Sequence, residues 1–249
     1  MKTLYFDCFS GISGDMVIGA LIDAGADPII LETELKKLNI DEEYQLKWNK
    51  IVKNGISSTK FDVLLTKDGR NHHHVHDHHH RSYKDIVELI ESANFAEQVK
   101  SISLRIFKKI GQAEGHIHGL PLEEVHFHEV GAVDSIIDIV GAAILIHQLG
   151  IETVKSSPIP VGTGEIHIDH GIYPIPAPAT LEILKEVPIE QSDIKAELTT
   201  PTGAAIVSVL AEEYCTIPSM KVKQVGHGAG TRTFEKHPNV IRVIIGEEL

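Results

Sequence analysis

The chain has 249 residues, with 23 Lys and Arg against 35 Asp and Glu, a formal net charge of −12 with histidine neutral. A hydrophobic share of 42 % excludes a disordered chain and supplies enough apolar side chain for a substantial core. The acidic balance argues against a nucleic-acid or anionic-membrane binder, because either needs a basic face.

In chain order, Thr3 to Phe6 reads as a short buried strand that runs into DCFSGISGDM. From Asp15 to Ala24, apolar residues Met16, Ile18, Leu21 and Ile22 recur at helical spacing, so residues 7–14 form a strand-to-helix connection. A second helix is expected over Pro28 to Leu38, with Asp27 as its N-cap and Pro28 at its first position. Tyr44 to Val52 and Ile56 to Leu65 alternate as strands, and Asn54-Gly55 between them signals a hairpin. Residues 67–81 are polar and without period, which predicts a mobile loop.

Ser82 followed by Asp85 resembles a capping box opening a helix to Ser92. Ala96 to Glu114 and Leu122 to Leu149 carry helical patterns, the second with a break at Gly131. Pro and Gly over residues 156–180 predict strand and loop, then short helices follow at Ala179 to Lys185 and Thr202 to Tyr214. Lys221 to Gly226 and Val240 to Ile245 are read as closing strands. The expected fold is a single α/β domain over residues 1–249, a mixed sheet with packed helices and a mobile His-rich loop.

Cys8 and Cys215 are too few for a disulfide framework, which favours a reduced, cytoplasmic setting. The first ten residues do not read as a signal peptide. The apolar run Ile136 to Leu149 is shorter than a membrane span and carries Asp138 and His147.

Histidine is the anomaly. Seven of the 16 fall in HHHVHDHHH: His72, His73, His74, His76, His78, His79 and His80. Imidazole suits nickel, zinc, copper and cobalt, and this density offers many interchangeable ligand sets, which suits capture and exchange better than one rigid site. In HFHEVGAVDSIIDIVG, the residues His126, His128, Glu129 and Asp134 lie close together, and Asp134 and Asp138 share a helix face at i,i+4. Acids on a helix otherwise rich in Ile and Val need a partner, a metal or a ligand.

In DCFSGISGDM, Gly11 and Gly14 allow close backbone approach, and the following helix start favours a phosphate or carboxylate. Ser10 and Ser13 add hydroxyls, while Asp7 and Asp15 are candidates to hold a cation or orient a substrate. The same stretch reads equally as a tight turn with capping serines. LTTPTGAA offers a second helix start, with Thr199, Thr200, Thr202 and Gly203 as phosphate-binding candidates. GHGAGTR reads as a loop whose Arg232 donates to an anion. Glu165, His167 and Asp169 alternate on one face of a strand, as a half-site or as a solvent face.

Together, DCFSGISGDM, the His-rich loop, HFHEVGAVDSIIDIVG, PVGTGEIHIDHGIYPIPAPAT, ELTTPTGAA and GHGAGTR resemble the LarC-type nickel insertion proteins, in the same order along essentially the whole chain. The resemblance implies insertion of Ni2+ into pyridinium-3,5-bisthiocarboxylic acid mononucleotide, held by two sulfurs and a ring carbon. It implies CTP with Mg2+ or Mn2+ as co-substrate, cleaved to CMP and diphosphate, and a nickel-pincer nucleotide for lactate racemase as product.

The family usually continues into a C-terminal portion tied to CTP binding and oligomerisation, so this chain is expected to be an N-terminal portion with that remainder as partner. A homo-oligomer is left open. In this reading the seven clustered histidines with His126 and His128 handle metal. Asp7, Ser10, Ser13, Asp15, Glu129 and Asp134 are the catalytic candidates. Gly11, Gly14, Thr199, Thr200, Thr202, Gly203 and Arg232 hold phosphate. The alternatives are a non-enzymatic nickel storage or delivery protein, which needs only the loop, and a metal-dependent hydrolase.

Overall fold

A computed structural model describes residues 1–66, 81–127, 132–168 and 171–249. The strands are β1 (Lys2–Asp7), β2 (Tyr44–Lys53), β3 (Ile56–Leu65), β4 (Thr153–Ser156), β5 (Ile159–Pro160), β6 (Glu165–Ile168), β7 (Gly171–Pro174), β8 (Ile189–Glu190), β9 (Glu213–Tyr214), β10 (Met220–Ala229) and β11 (Val240–Glu248). The helices are α1 (Gly14–Asp23), α2 (Pro28–Leu35), α3 (Tyr83–Ser92), α4 (Glu97–His118), α5 (Val133–Gln148), α6 (Pro178–Ile183) and α7 (Pro201–Leu210). Seven strands form one mixed sheet in the order β2-β3-β10-β11-β1-β4-β9. β1 pairs parallel with β4 and antiparallel with β11, Tyr5 facing Ile244 and Asp7 facing Arg242. The fold is therefore α/β with a mixed sheet.

The period of two along the central strands sorts their side chains. Leu4, Phe6, Ile241, Val243 and Ile245 enter the core beneath the helices, while Tyr5, Asp7, Arg242 and Ile244 belong to the other face. On the helical side α1 packs on β3, β10 and β11, and α5 packs on α1 and α4. Helix α5 is apolar on nearly every side because it lies inside that stack, with Ile136, Ile137, Ile139 and Val140 fully buried. Each such side chain contributes about 1.5–3 kcal/mol of burial.

Several local expectations are met by mechanism. Asp27 caps α2 by accepting from the Ile29 N–H, and Ser82 and Asp85 form a reciprocal capping box on α3. Asn54 and Gly55 both take positive φ (47° and 84°), the requirement of a two-residue hairpin turn.

Three expectations are corrected. The helix expected over Leu122 to Leu149 is a short 3-10 turn at Leu122–Glu124, then extended chain at His126, with α5 starting only at Val133. The helix expected to reach Tyr214 stops at Leu210, and Glu213–Tyr214 joins the sheet beside β4 as β9. GHGA of GHGAGTR is strand β10, not loop. Its Gly226 and Gly228 are there because α1 lies on them: a Cβ on Gly228 would stand 1.8 Å from the Met16 carbonyl oxygen. The predicted loop lies, apart from Arg81, outside the described residues. Among the described residues no helix is long and apolar enough to cross a membrane.

Candidate functional site

Three motifs far apart in sequence meet in one cavity of about 390 Å³, between the starts of α1 and α7, the start of α5 and strand β3. Ser13, Gly14 and Asp15 come from the β1–α1 connection, Asp134 and Asp138 from α5, and Thr200 and Thr202 from the start of α7. The helix starts are held together by backbone. The Thr200 N–H donates to the Ile12 carbonyl at 3.1 Å, and a Cβ on Gly203 would lie 2.0 Å from the same oxygen. Gly203 is thus required for α7 to approach the loop before α1. Thr200 caps α7 by accepting from the Gly203 N–H at 3.2 Å. Ser13 is the N-cap residue of α1, but its hydroxyl turns to the Asp15 carboxylate instead.

Lys60 of β3 is the cation of the cavity. Its Nζ lies 2.7 Å from Asp15 Oδ2 and 2.9 Å from Asp62 Oδ1, and it also donates to the Phe61 carbonyl. Burial alone would lower its pKa, but the two carboxylates reverse this and hold the ammonium above its usual range. Asp138 is the opposite case. Burial first, then the charges of Asp15 and Asp134, push its carboxyl well above the usual carboxylate range, against Lys60 and the Asp15 backbone N–H. Its Oδ1 is sealed from solvent without a hydrogen-bond partner. Gly14 makes room for it: a Cβ there would stand 2.5 Å from Asp138 Oδ2.

Other sequence candidates lie elsewhere. Ser10 is fully buried, with its hydroxyl 2.8 Å from His237 Nε2 and donating to the Pro238 carbonyl. Asp7 lies in a separate cleft on the other face of the sheet and pairs with Arg242 at 2.5 Å. Gly11, at φ 83°, supports close packing, since a Cβ would lie 2.0 Å from the Leu198 carbonyl oxygen. Thr199 is buried and donates to the Pro160 carbonyl. Arg232 is exposed and not among the residues lining the cavity, although its neighbour Thr231 is. Glu165 and His167 are exposed on β6.

His126 is exposed, and its backbone pairs with Ser82. The seven clustered histidines, His128, Glu129 and Asp169 lie outside the described residues. The chain on either side of the His-rich segment converges on Glu43: the Thr66 N–H donates to its carbonyl at 3.0 Å, and Arg81 Nη2 to its carboxylate at 2.6 Å. Among the described residues no three His, Cys, Asp or Glu side chains form a metal-ligand set.

Sequence reasoning missed Lys60, Asp62, Glu197 and Thr231, all lining the cavity. The available signals were KFD within β3, where two charged residues flank the fully buried Phe61, and the place of Glu197 at the head of ELTTPTGAA.

The family model "Nickel insertion protein" matches residues 4–249. Curated relatives named pyridinium-3,5-bisthiocarboxylic acid mononucleotide nickel insertion protein include one from Geobacillus kaustophilus, 54 % identical over 249 residues, covering 100 % of this chain and 60 % of that protein. Another, from Staphylococcus epidermidis, is 49 % identical over 243 residues, covering 98 % of this chain and 59 % of that protein. A third, from Clostridium kluyveri, is 49 % identical over 251 residues, covering 100 % and 63 %. The chain thus spans about 60 % of the length of these relatives. No solved structure matches it. By the family match over residues 4–249 and these identities, the chain belongs to the nickel insertion protein family.

Proposed function

We propose that this chain is the nickel- and phosphate-handling part of an enzyme that inserts Ni2+ into pyridinium-3,5-bisthiocarboxylic acid mononucleotide with cleavage of CTP. The observation that carries the reading is the meeting of Ser13–Asp15, Asp134 and Asp138, Lys60 and Thr200–Thr202 in one cavity. Two helix starts and an ammonium suit phosphate oxygens, while the Asp15 and Asp134 carboxylates suit a divalent cation. Mg2+ or Mn2+ bound to a nucleotide fits this set better than a caged ion would. Such ions keep several waters and need only one or two carboxylates beside the phosphates. The cation would neutralise charge developing on the phosphates.

Nickel is the substrate metal. The residues 72–80 are assigned to its capture, with His126, His128 and Glu129 as the receiving side chains. The remaining length found in the relatives is taken as the partner portion for turnover, in the cytoplasm.

Calorimetry with this chain and with the full-length protein tests the reading. Binding of CTP with Mg2+ by the full-length protein, weakened at least tenfold by Asp15→Asn, is expected; nickel binding with no binding of CTP or of a pyridinium mononucleotide by either would favour storage or delivery. Deleting residues 72–80 should lower the nickel bound per chain in equilibrium dialysis, and unchanged stoichiometry and affinity would remove the loop from the account.

A further inference from the structure

Lys60 stands apart from the other groups that line the cavity because its donors are already engaged. Alternation along β3 puts Lys60 and Asp62 on one face, with Phe61 fully buried on the other. The Lys60 side chain is only 11 % exposed, and an ammonium has three N–H donors. One goes to Asp15 Oδ2 at 2.7 Å, one to Asp62 Oδ1 at 2.9 Å and one to the Phe61 carbonyl at 2.8 Å. In this arrangement the ammonium has no donor to offer a phosphate. Asp15 is engaged on both sides, since its Oδ1 accepts from the Ser13 hydroxyl.

The charges around Lys60 make this arrangement selective. Among the described residues that line the cavity, Asp15, Asp62, Asp134 and Glu197 stand against this one ammonium, the buried Asp138 aside. A phosphate entering alone meets the carboxylate excess and finds the ammonium occupied. A divalent ion entering alone is drawn by the carboxylates but meets the ammonium. Bound to Asp15 Oδ2 at about 2.1 Å, it would stand within about 5 Å of Lys60 Nζ. Like charges at that distance, partly shielded from water, repel strongly. When ion and phosphate enter together, each removes the obstacle to the other. The ion takes the ammonium's place on Asp15, and the released ammonium reaches a phosphate oxygen on its flexible four-carbon stem.

We propose that Lys60 makes this cavity selective for a divalent cation carried by phosphate. It closes the cation position on Asp15 to the bare ion, and it exchanges from Asp15 to the phosphates when ion and phosphates enter as a complex. The proposal rests on the function proposed above for the entry of a cation and phosphates into this cavity. Lys60 is then a specificity-determining residue, beyond its part in neutralising two carboxylates.

The test titrates this chain with MgCl2 and, separately, with magnesium tripolyphosphate, following the amide signals of Ser13, Gly14, Asp15, Thr200, Thr202 and Gly203 by NMR. Mg2+ favours oxygen over imidazole ligands, and the signals followed belong to the cavity, so the histidines do not confuse the reading. Lys60→Met and Lys60→Gln both remove the charge. Glutamine keeps an N–H donor for Asp15, so it serves where methionine fails to fold. The parent should bind magnesium tripolyphosphate at least tenfold more tightly than bare Mg2+. The variants should bind bare Mg2+ at least tenfold more tightly than the parent does, and the complex at least threefold more weakly. A lysine that only holds the fold together would shift both affinities in the same direction. Such a common shift, bare Mg2+ bound as tightly by the parent as by the variants, or no binding of the complex by the parent would overturn the proposal. CTP binding is measured separately on the full-length protein, so its failure would strike the proposed nucleotide and not the role of Lys60.

Discussion

Replacing Asp138 by Asn tests the electrostatics of the candidate site. In the folded chain burial and the charges of Asp15 and Asp134 raise the Asp138 carboxyl well above its usual range, against Lys60 on β3. In the unfolded chain it titrates near the reference value of about 3.9. Above that value the unfolded chain releases a proton that the folded chain retains, so this group lowers stability as pH rises. The loss accumulates at about 1.4 kcal/mol per pH unit until the folded-state pKa is passed, and then levels off.

Asn carries no titratable proton and keeps an oxygen for the Asp15 N–H. The variant should therefore match the parent near pH 4 and become progressively more stable than it toward neutral pH. Urea unfolding of both proteins at each unit from pH 4 to pH 8 reads this difference directly. A gap that does not change with pH, or a variant less stable than the parent at pH 7, would refute the reasoning, since Asp138 would then be an ionised partner of Lys60.

Other perturbations have equally direct outcomes. Gly228→Ala forces a Cβ to 1.8 Å from the Met16 carbonyl oxygen, a backbone atom that cannot rotate away, and should cost about 3 kcal/mol in denaturant unfolding. Lys60→Met leaves Asp15 and Asp62 facing each other without their ammonium. It should cost about 2–3 kcal/mol, less than a fully buried pair because both carboxylates still reach water. Nickel affinity of the His-rich segment should collapse below about pH 6, because imidazole must be neutral to bind metal. Dialysis at pH 5 with undiminished uptake would point to carboxylate ligands.

Local signals made much of the fold legible. The capping box at Ser82 and Asp85, the Pro28 helix start and the Asn54-Gly55 turn each depend on residues within a few positions. The strand-turn-helix at residues 2–23 and the shared face of Asp134 and Asp138 were readable for the same reason. What escaped depended on partners distant in sequence. Gly226 and Gly228 resemble a ligand loop until α1 is laid across them. Ser10 looks like an active hydroxyl until the turn buries it against His237. Lys60 has only the KFD of β3 to mark it and Glu197 only its place at the head of ELTTPTGAA, and the return of β3 and the chain before α7 brings them to the cavity. The helix expected through Leu122 failed because apolar spacing continued across a segment whose backbone pairs with Ser82 instead.

A role in nickel insertion is proposed for the cavity shared by Asp15, Lys60, Asp138 and Thr200. It is tested most directly by mass spectrometry of the mononucleotide after incubation with nickel, CTP, Mg2+ and the full-length protein carrying this region. The account predicts a nickel-containing product from the parent protein and at least a hundredfold slower formation with Asp15→Asn. Equal formation by the variant, or no nickel-containing product from the parent, would contradict it.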